Sequence, residues 1–179
     1  MGRGKSLDDL SMLPIEVLDE VVREAELRIA AQLETANASD QRAMAWCGFL
    51  ITIATAGTGG AISLSLSGAH SALATLATIF SFVIGVAAFL AIDCVRPKYF
   101  GFPGNLPENW LPAEWEAGKP LTLFQARIEQ ARCLNNLIDD NVVWAKTCAV
   151  RLQLSMDIAV WAVIFAGIIA GALALFDFR

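Results

Sequence analysis

The chain has 179 residues, of which 56% are hydrophobic and only 17% are charged. A soluble domain of this length has to solvate most of its surface and therefore scatters its charges, whereas three long windows here contain none. The net charge of −5 excludes a strongly basic nucleic-acid-binding protein, so no nucleic-acid partner is expected.

The N-terminal region is predicted to be a flexible tail over residues 1–13, followed by a cytoplasmic amphipathic helix over residues 14–42. Apolar side chains recur in this helix at spacings of three and four, which places them on one face. They are Leu18, Val22, Ala25, Ile29, Leu33 and Ala36. Since no proline follows before the first apolar window, the helix is expected to continue into it.

Three windows predict transmembrane helices. They cover residues 43–66, 71–92 and 158–176, and none contains Lys, Arg, Asp or Glu. At about 1.5 Å per residue, helices of this size match the roughly 30 Å hydrocarbon core of a bilayer. The short linker between the first two windows predicts a transmembrane helical hairpin over residues 43–92. The expected fold is therefore an all-α integral membrane protein with three transmembrane helices.

The distribution of positive charge predicts the orientation of these helices. Twelve of the thirteen Lys and Arg residues lie before the first window or between the second and third, and only Arg179 follows the third. Cytoplasmic segments carry the excess of positive charge in membrane proteins. We therefore expect a multi-pass membrane protein with a cytoplasmic N-terminus and an external C-terminus.

The long segment between the second and third windows is predicted to have two parts. Residues 93–120 combine prolines and glycines with aromatic side chains, which indicates an irregular loop at the membrane interface. A ligand-binding lid is the alternative interpretation of this loop. The aromatic residues are Tyr99, Phe100, Phe102, Trp110 and Trp115.

A helix is predicted over residues 121–157, because Thr122 and Gln125 have the spacing of a capping box. From Phe124 to Leu152 the spacing between mostly apolar positions alternates between four and three residues. This spacing is a heptad seam, typical of a coiled coil. The seam members are Phe124, Ile128, Ala131, Asn135, Ile138, Val142, Ala145, Ala149 and Leu152. Pairing with the helix over residues 14–42 would form a two-helix cytoplasmic stalk. Asn135 would either set register and partner number or be an ordinary satisfied residue at the edge of a bundle.

Two acids and two glycines lie in or next to the predicted spans. Asp93 and Asp157 adjoin the inner ends of the second and third windows, where they would anchor the interface or handle ions, with Arg96 or Arg151 as counterions. Gly167 and Gly171 form a G-x-x-x-G spacing. Small residues allow close helix packing in lipid, so this pair would pack the spans within one chain or mediate oligomerisation.

No set of nucleophile, base and orienting partner is visible, and we predict no enzyme activity, no catalytic residues, no cofactor and no metal site. The four cysteines Cys47, Cys94, Cys133 and Cys148 form no C-x-x-C pair and are interpreted as reduced thiols.

The residues before the first span, Ala38-Ser39-Asp40-Gln41-Arg42-Ala43, resemble the A-D-x-K-A signature of the Pycsar-effector-like membrane domain. The order of helix, signature, hairpin, linker and long helix resembles that family too, as does Asn141 followed by Lys146. The related SLATT-type effectors share this plan. Ser39 and Arg42 depart from the alanine and lysine of the signature. The resemblance implies a bacterial antiviral effector, triggered by a nucleotide second messenger or a partner, that breaches the membrane.

Two hypotheses of function follow. The first is a membrane effector that forms homo-oligomers and permeabilises the lipid bilayer, with Asp40 and Arg42, before the first span, among its functional residues. The second is a non-catalytic accessory or structural subunit that docks other membrane proteins. A phage holin is a third candidate, although holins are usually smaller and lack so long a cytoplasmic part.

Overall fold

The computed structural model describes residues 7–68, 71–95, 101–104 and 122–177. Every regular element within these ranges is helical. A short 3-10 helix, Leu7–Met12, precedes α1 (Ile15–Ser67), α2 (Ser71–Asp93) and α3 (Leu123–Asp177). Each of the three α-helices contains a segment long and apolar enough to cross a membrane. The predictions of an all-α fold and of three such helices are confirmed.

The helix ends follow local sequence signals. Pro14 precedes α1, and its carbonyl accepts hydrogen bonds from the N–H groups of Val17 and Leu18, both at 3.1 Å. Gly68, with a φ of 67°, stands directly after α1, where an L-residue would be strained. At the start of α3 the N–H of Gln125 donates to Thr122 Oγ1 at 3.2 Å, and the N–H of Thr122 donates to Gln125 Oε1 at 3.3 Å. The predicted capping box is therefore confirmed.

Helices α1 and α3 are unusually long, with 53 and 55 residues. Each contains both a segment with charged side chains and one of the uncharged windows. The predicted boundaries at residues 42/43 and 157/158 therefore fall inside continuous helices. This continuity was expected, because neither junction contains a proline or another helix breaker.

The chain divides into two compact units. The first comprises residues 1–36 and 98–145. Its core consists of Val22 and Ile29 from α1 and Ala131 and Leu134 from α3. Beside this core, Arg127 Nε lies 2.7 Å from Asp19 Oδ1, and Gln130 Nε2 donates to Glu26 Oε1 at 3.1 Å. Residues later in α1 contact residues later in α3, so the two helices run in parallel within this unit.

The second unit comprises residues 37–97 and 146–179. Its buried cluster is dominated by small side chains around two larger ones, Leu50 and Ile84. The smaller members are Cys47, Ala87, Ala88, Ala91 and Ala159. Small residues let helix backbones approach closely, which is the usual basis of packing in lipid. The large apolar side chains lie outside instead, for example Phe82 at 72% exposure and Ile168 at 63%.

Of the predicted seam positions of α3, only Ile128 and Ala131 are buried, and Ala145 and Ala149 are exposed. Ala131 is buried and Ile138 packs against the core, as expected. The other predicted row, Ile128, Asn135, Val142 and Ala149, is buried only at Ile128. The buried row at seven-residue spacing is instead Leu134, Asn141, Cys148 and Ser155. The prediction followed hydrophobicity and therefore passed over a row whose polar members are buried with hydrogen-bond partners.

Candidate functional site

A buried amide cluster forms in the first unit around Asn141, which is 4% exposed. Its Oδ1 accepts a hydrogen bond from the N–H of Gly101 at 3.1 Å. Its Nδ2 donates to the carbonyl of Gly101 and to Gln32 Oε1, both at 3.3 Å. Gln32 Nε2 in turn donates to the carbonyl of Ile138 at 3.3 Å. The two amides thus join α1, α3 and the segment 101–104 in one satisfied network.

Gly101 allows this segment to approach α3 closely. A Cβ at this position would lie 2.8 Å from Leu137 Cδ2 and 3.0 Å from Leu137 Cβ, so any side chain would push the segment away. Within the predicted aromatic loop, Phe102 is described and is 62% exposed. Tyr99, Phe100, Trp110 and Trp115 lie outside the described residues, so their predicted place at the interface stays a prediction.

The second unit contains an ion pair at the end of α2. Arg151 Nη1 donates to Asp93 Oδ2. The two side chains are 36% and 24% exposed, so the pair is only partly screened by solvent. Arg151 was one of two predicted counterions for Asp93, and the other, Arg96, lies outside the described residues. The ion pair links the last residue of α2 to α3.

Two thiols lie next to this ion pair. Cys94 Sγ donates to the carbonyl of Cys148 at 3.4 Å, and Cys148 Sγ lies 3.6 Å from the carbonyl of Cys94. The side chains are 3% and 6% exposed. Burial, with a further contribution from the neighbouring Cys148 thiol, raises the pKa of Cys94 to about 11.

A hydroxyl group connects all three helices of the second unit. Ser155, in α3, is fully buried and donates through Oγ to the carbonyl of Ala87 in α2 at 2.7 Å. The same Oγ accepts a hydrogen bond from Trp46 Nε1 in α1 at 3.0 Å. Because the hydroxyl has both a donor and an acceptor partner, its burial costs little.

The remaining residues singled out from the sequence occupy varied environments. Asp40 is half-buried, and burial raises the pKa of its carboxyl group, whereas Arg42 is exposed. Asn135 is half-buried and donates to Asp139 Oδ2 at 3.3 Å, and Asp157 is exposed. Of the seven predicted residues, Asp93 takes part in the polar contacts of the second unit described above.

Gly167 and Gly171 are exposed on α3. A Cβ added at either would meet no atom within 4 Å in the part of the chain that the structure describes. Gly57 differs, because a Cβ there would collide with Ser81 Oγ. Among the described residues, close packing at a helical glycine therefore occurs at Gly57 and not at the G-x-x-x-G spacing.

Gln32 and Ser155 were not singled out from the sequence, Asn141 was singled out only for its family resemblance and not as a buried position, and Cys94 and Cys148 were not paired. One signal was available: the seven-residue interval that separates Leu134, Asn141, Cys148 and Ser155. Amide and hydroxyl side chains are usually exposed, so a pattern search based on hydrophobicity discounts them.

No group of three or more His, Cys, Asp or Glu side chains suited to a metal ion occurs among residues 7–68, 71–95, 101–104 and 122–177. No protein-family model matches the sequence, and comparison with curated proteins and with solved structures finds no similar chain.

Proposed function

We propose that this chain is a small bacterial inner-membrane effector of the Pycsar-effector-like or SLATT type, which forms homo-oligomers and permeabilises the bilayer. In this proposal the N-terminus is cytoplasmic and the C-terminus is outside. The charged segments of α1 and α3 receive the signal, a nucleotide second messenger or a protein partner. The apolar segments then rearrange into a leak.

The observation that carries this proposal is the continuity of α1 and α3. Each joins a segment of the first unit to a segment long and apolar enough to cross a membrane, without an interruption of the helix. In this proposal a displacement of one segment is passed to the other along the backbone of the continuous helix. Such a connection suits a protein that converts a signal outside the bilayer into movement within it.

The open glycine face of α3 supports the oligomeric part of the proposal. Gly167 and Gly171 leave room for another helix to approach the backbone of α3. Helix association in lipid depends on this close approach. We therefore propose that α3 packs against α3 of a second copy at these residues.

The proposal is tested by inducing the protein in a bacterial host, with candidate cyclic nucleotides supplied, while a voltage-sensitive dye reports membrane potential. We expect depolarisation. The double substitution Gly167→Leu and Gly171→Leu should slow it about tenfold, equivalent to roughly 1.4 kcal/mol lost from association. Gly60→Leu is the matched control, because Gly60 also has open space around its Cβ position but lies on α1.

Two results would contradict this proposal. One is a stable membrane potential at high expression with every nucleotide tested. The other is purification in mild detergent as a stoichiometric complex with different membrane proteins, which would support the accessory-subunit hypothesis instead.

A further inference from the structure

Cys94 and Cys148 lie in reciprocal contact, and the proposed effector function does not use this contact. We propose that they form a redox-modification site, at which a low-molecular-weight disulfide oxidises the pair to an intramolecular disulfide. The new bond would join the chain at the end of α2 to α3. The site stands independently of membrane permeabilisation.

The geometry of the two thiols carries this inference. Each sulfur lies against the backbone of the other residue, at 3.4 Å and 3.6 Å from the partner's carbonyl oxygen. A disulfide requires the backbones of its two residues to approach within about 7 Å at Cα, with the sulfurs directed at each other. These reciprocal contacts make the two cysteines direct neighbours, each with its sulfur against the backbone of the other.

The other two cysteines lack this arrangement. Cys47 Sγ donates to the carbonyl of Ala88 at 3.5 Å, and Cys133 is exposed on α3 in the first unit. Cys133 therefore serves as an internal reference for the reactivity of an accessible thiol. Cys47 serves as the reference for a buried thiol whose hydrogen bond goes to an alanine.

The environment of the pair makes the reaction depend on local opening. The thiolate is the reactive form, and a pKa of about 11 leaves on the order of one Cys94 side chain in ten thousand ionised at pH 7. Among the charged groups that face it, Arg151 favours the thiolate and Asp93 opposes it. Separation of the end of α2 from α3 would admit water and lower this barrier.

The chemistry balances with one disulfide reagent per protein. One protein thiolate attacks the reagent, which forms a mixed disulfide and releases one small thiol. The second protein thiolate attacks the protein sulfur of that mixed disulfide and releases the other small thiol. Two protein thiols are oxidised, and the reagent takes up two electrons and two protons.

The test uses the full-length Cys133→Ser variant in mild detergent, so that the exposed thiol cannot interfere. Oxidised glutathione is added, and exchange is quenched with acid. The remaining thiols are then alkylated in the denatured protein near neutral pH, and peptides are analysed by mass spectrometry without reduction. We expect a pair of peptides joined through Cys94 and Cys148, two hydrogens lighter than the sum of the two. Dithiothreitol should restore two alkylatable thiols.

A second variant distinguishes formation of the intramolecular disulfide from attachment of glutathione to a single cysteine. In Cys148→Ala, Cys94 should stop at the mixed disulfide with glutathione, because the resolving thiol is missing. The proposal is overturned if Cys94 and Cys148 remain separately alkylated in the Cys133→Ser protein after Cys133 of the unmodified chain has fully reacted. It is also overturned if both carry glutathione without closing. Neither result would bear on depolarisation, which tests the effector proposal separately.

Discussion

Asn141 makes buried hydrogen bonds that connect α3 to the segment 101–104. Its amide satisfies both the N–H and the carbonyl of Gly101 and also binds Gln32. We predict that Asn141→Ala lowers the free energy of unfolding by about 2–3 kcal/mol, since it leaves buried polar groups without partners. Thermal unfolding of the detergent-solubilised protein, followed by circular dichroism, measures the change.

Asn135→Ala is the matched control for that prediction. This amide is half-buried and has a single long hydrogen bond to Asp139 within its own helix, so its loss should cost less than about 1 kcal/mol. Equal losses for the two variants would contradict the smaller role that its burial and hydrogen bonding assign to Asn135.

Asp40 should make stability depend on pH. Burial raises the pKa of its carboxyl group in the folded state. The folded protein therefore binds more protons than the unfolded chain between the two pKa values, and stability falls as pH rises through that window. Asp40→Asn should raise the unfolding temperature at neutral pH and give no such gain below the ordinary pKa of an aspartate, about 3.9.

The exposed Asp157 supplies the comparison for this effect, because Asp157→Asn changes the same formal charge without relieving a buried group. A pH-independent gain from Asp40→Asn, or an equal gain from Asp157→Asn, would count against burial as the cause.

At the scale of the elements, the approach of α1 to α2 depends on the missing side chain of Gly57. A Cβ there would collide with Ser81 Oγ but would lie 3.6 Å from Ser81 Cβ, an ordinary contact. We predict that Gly57→Ala destabilises the protein by about 1–3 kcal/mol through overpacking. Adding Ser81→Ala should recover most of that loss.

Ser81→Ala alone should be nearly neutral, since its hydroxyl donates to Ala77 within α2 at 2.8 Å. A double-mutant cycle from thermal unfolding gives the coupling between the two positions. Additive effects of the two substitutions would show that the collision does not limit how closely the helices pack.

At the scale of the whole molecule, the distribution of positive charge predicts the orientation in the membrane. Twelve of thirteen Lys and Arg residues lie on the segments assigned to the cytoplasm. Alkaline phosphatase, which is active only outside the cytoplasm, should be active when fused after residue 179 and inactive when fused after residue 121. The reverse pattern, or release of the protein from membranes by alkaline carbonate, would contradict the proposed topology.

The sequence alone determined that the protein is all-helical with three segments of membrane-spanning length, and it determined where α3 begins. Uncharged windows of span length and the Thr122–Gln125 cap need only composition and neighbouring residues, and both agree with the structure. Which polar residues lie inside was decided by tertiary structure. Gln32 and Asn141 are 109 residues apart, and Ser155 and Ala87 are 68 apart. These buried side chains are satisfied by partners far away in the chain, and no local pattern contains such a partner.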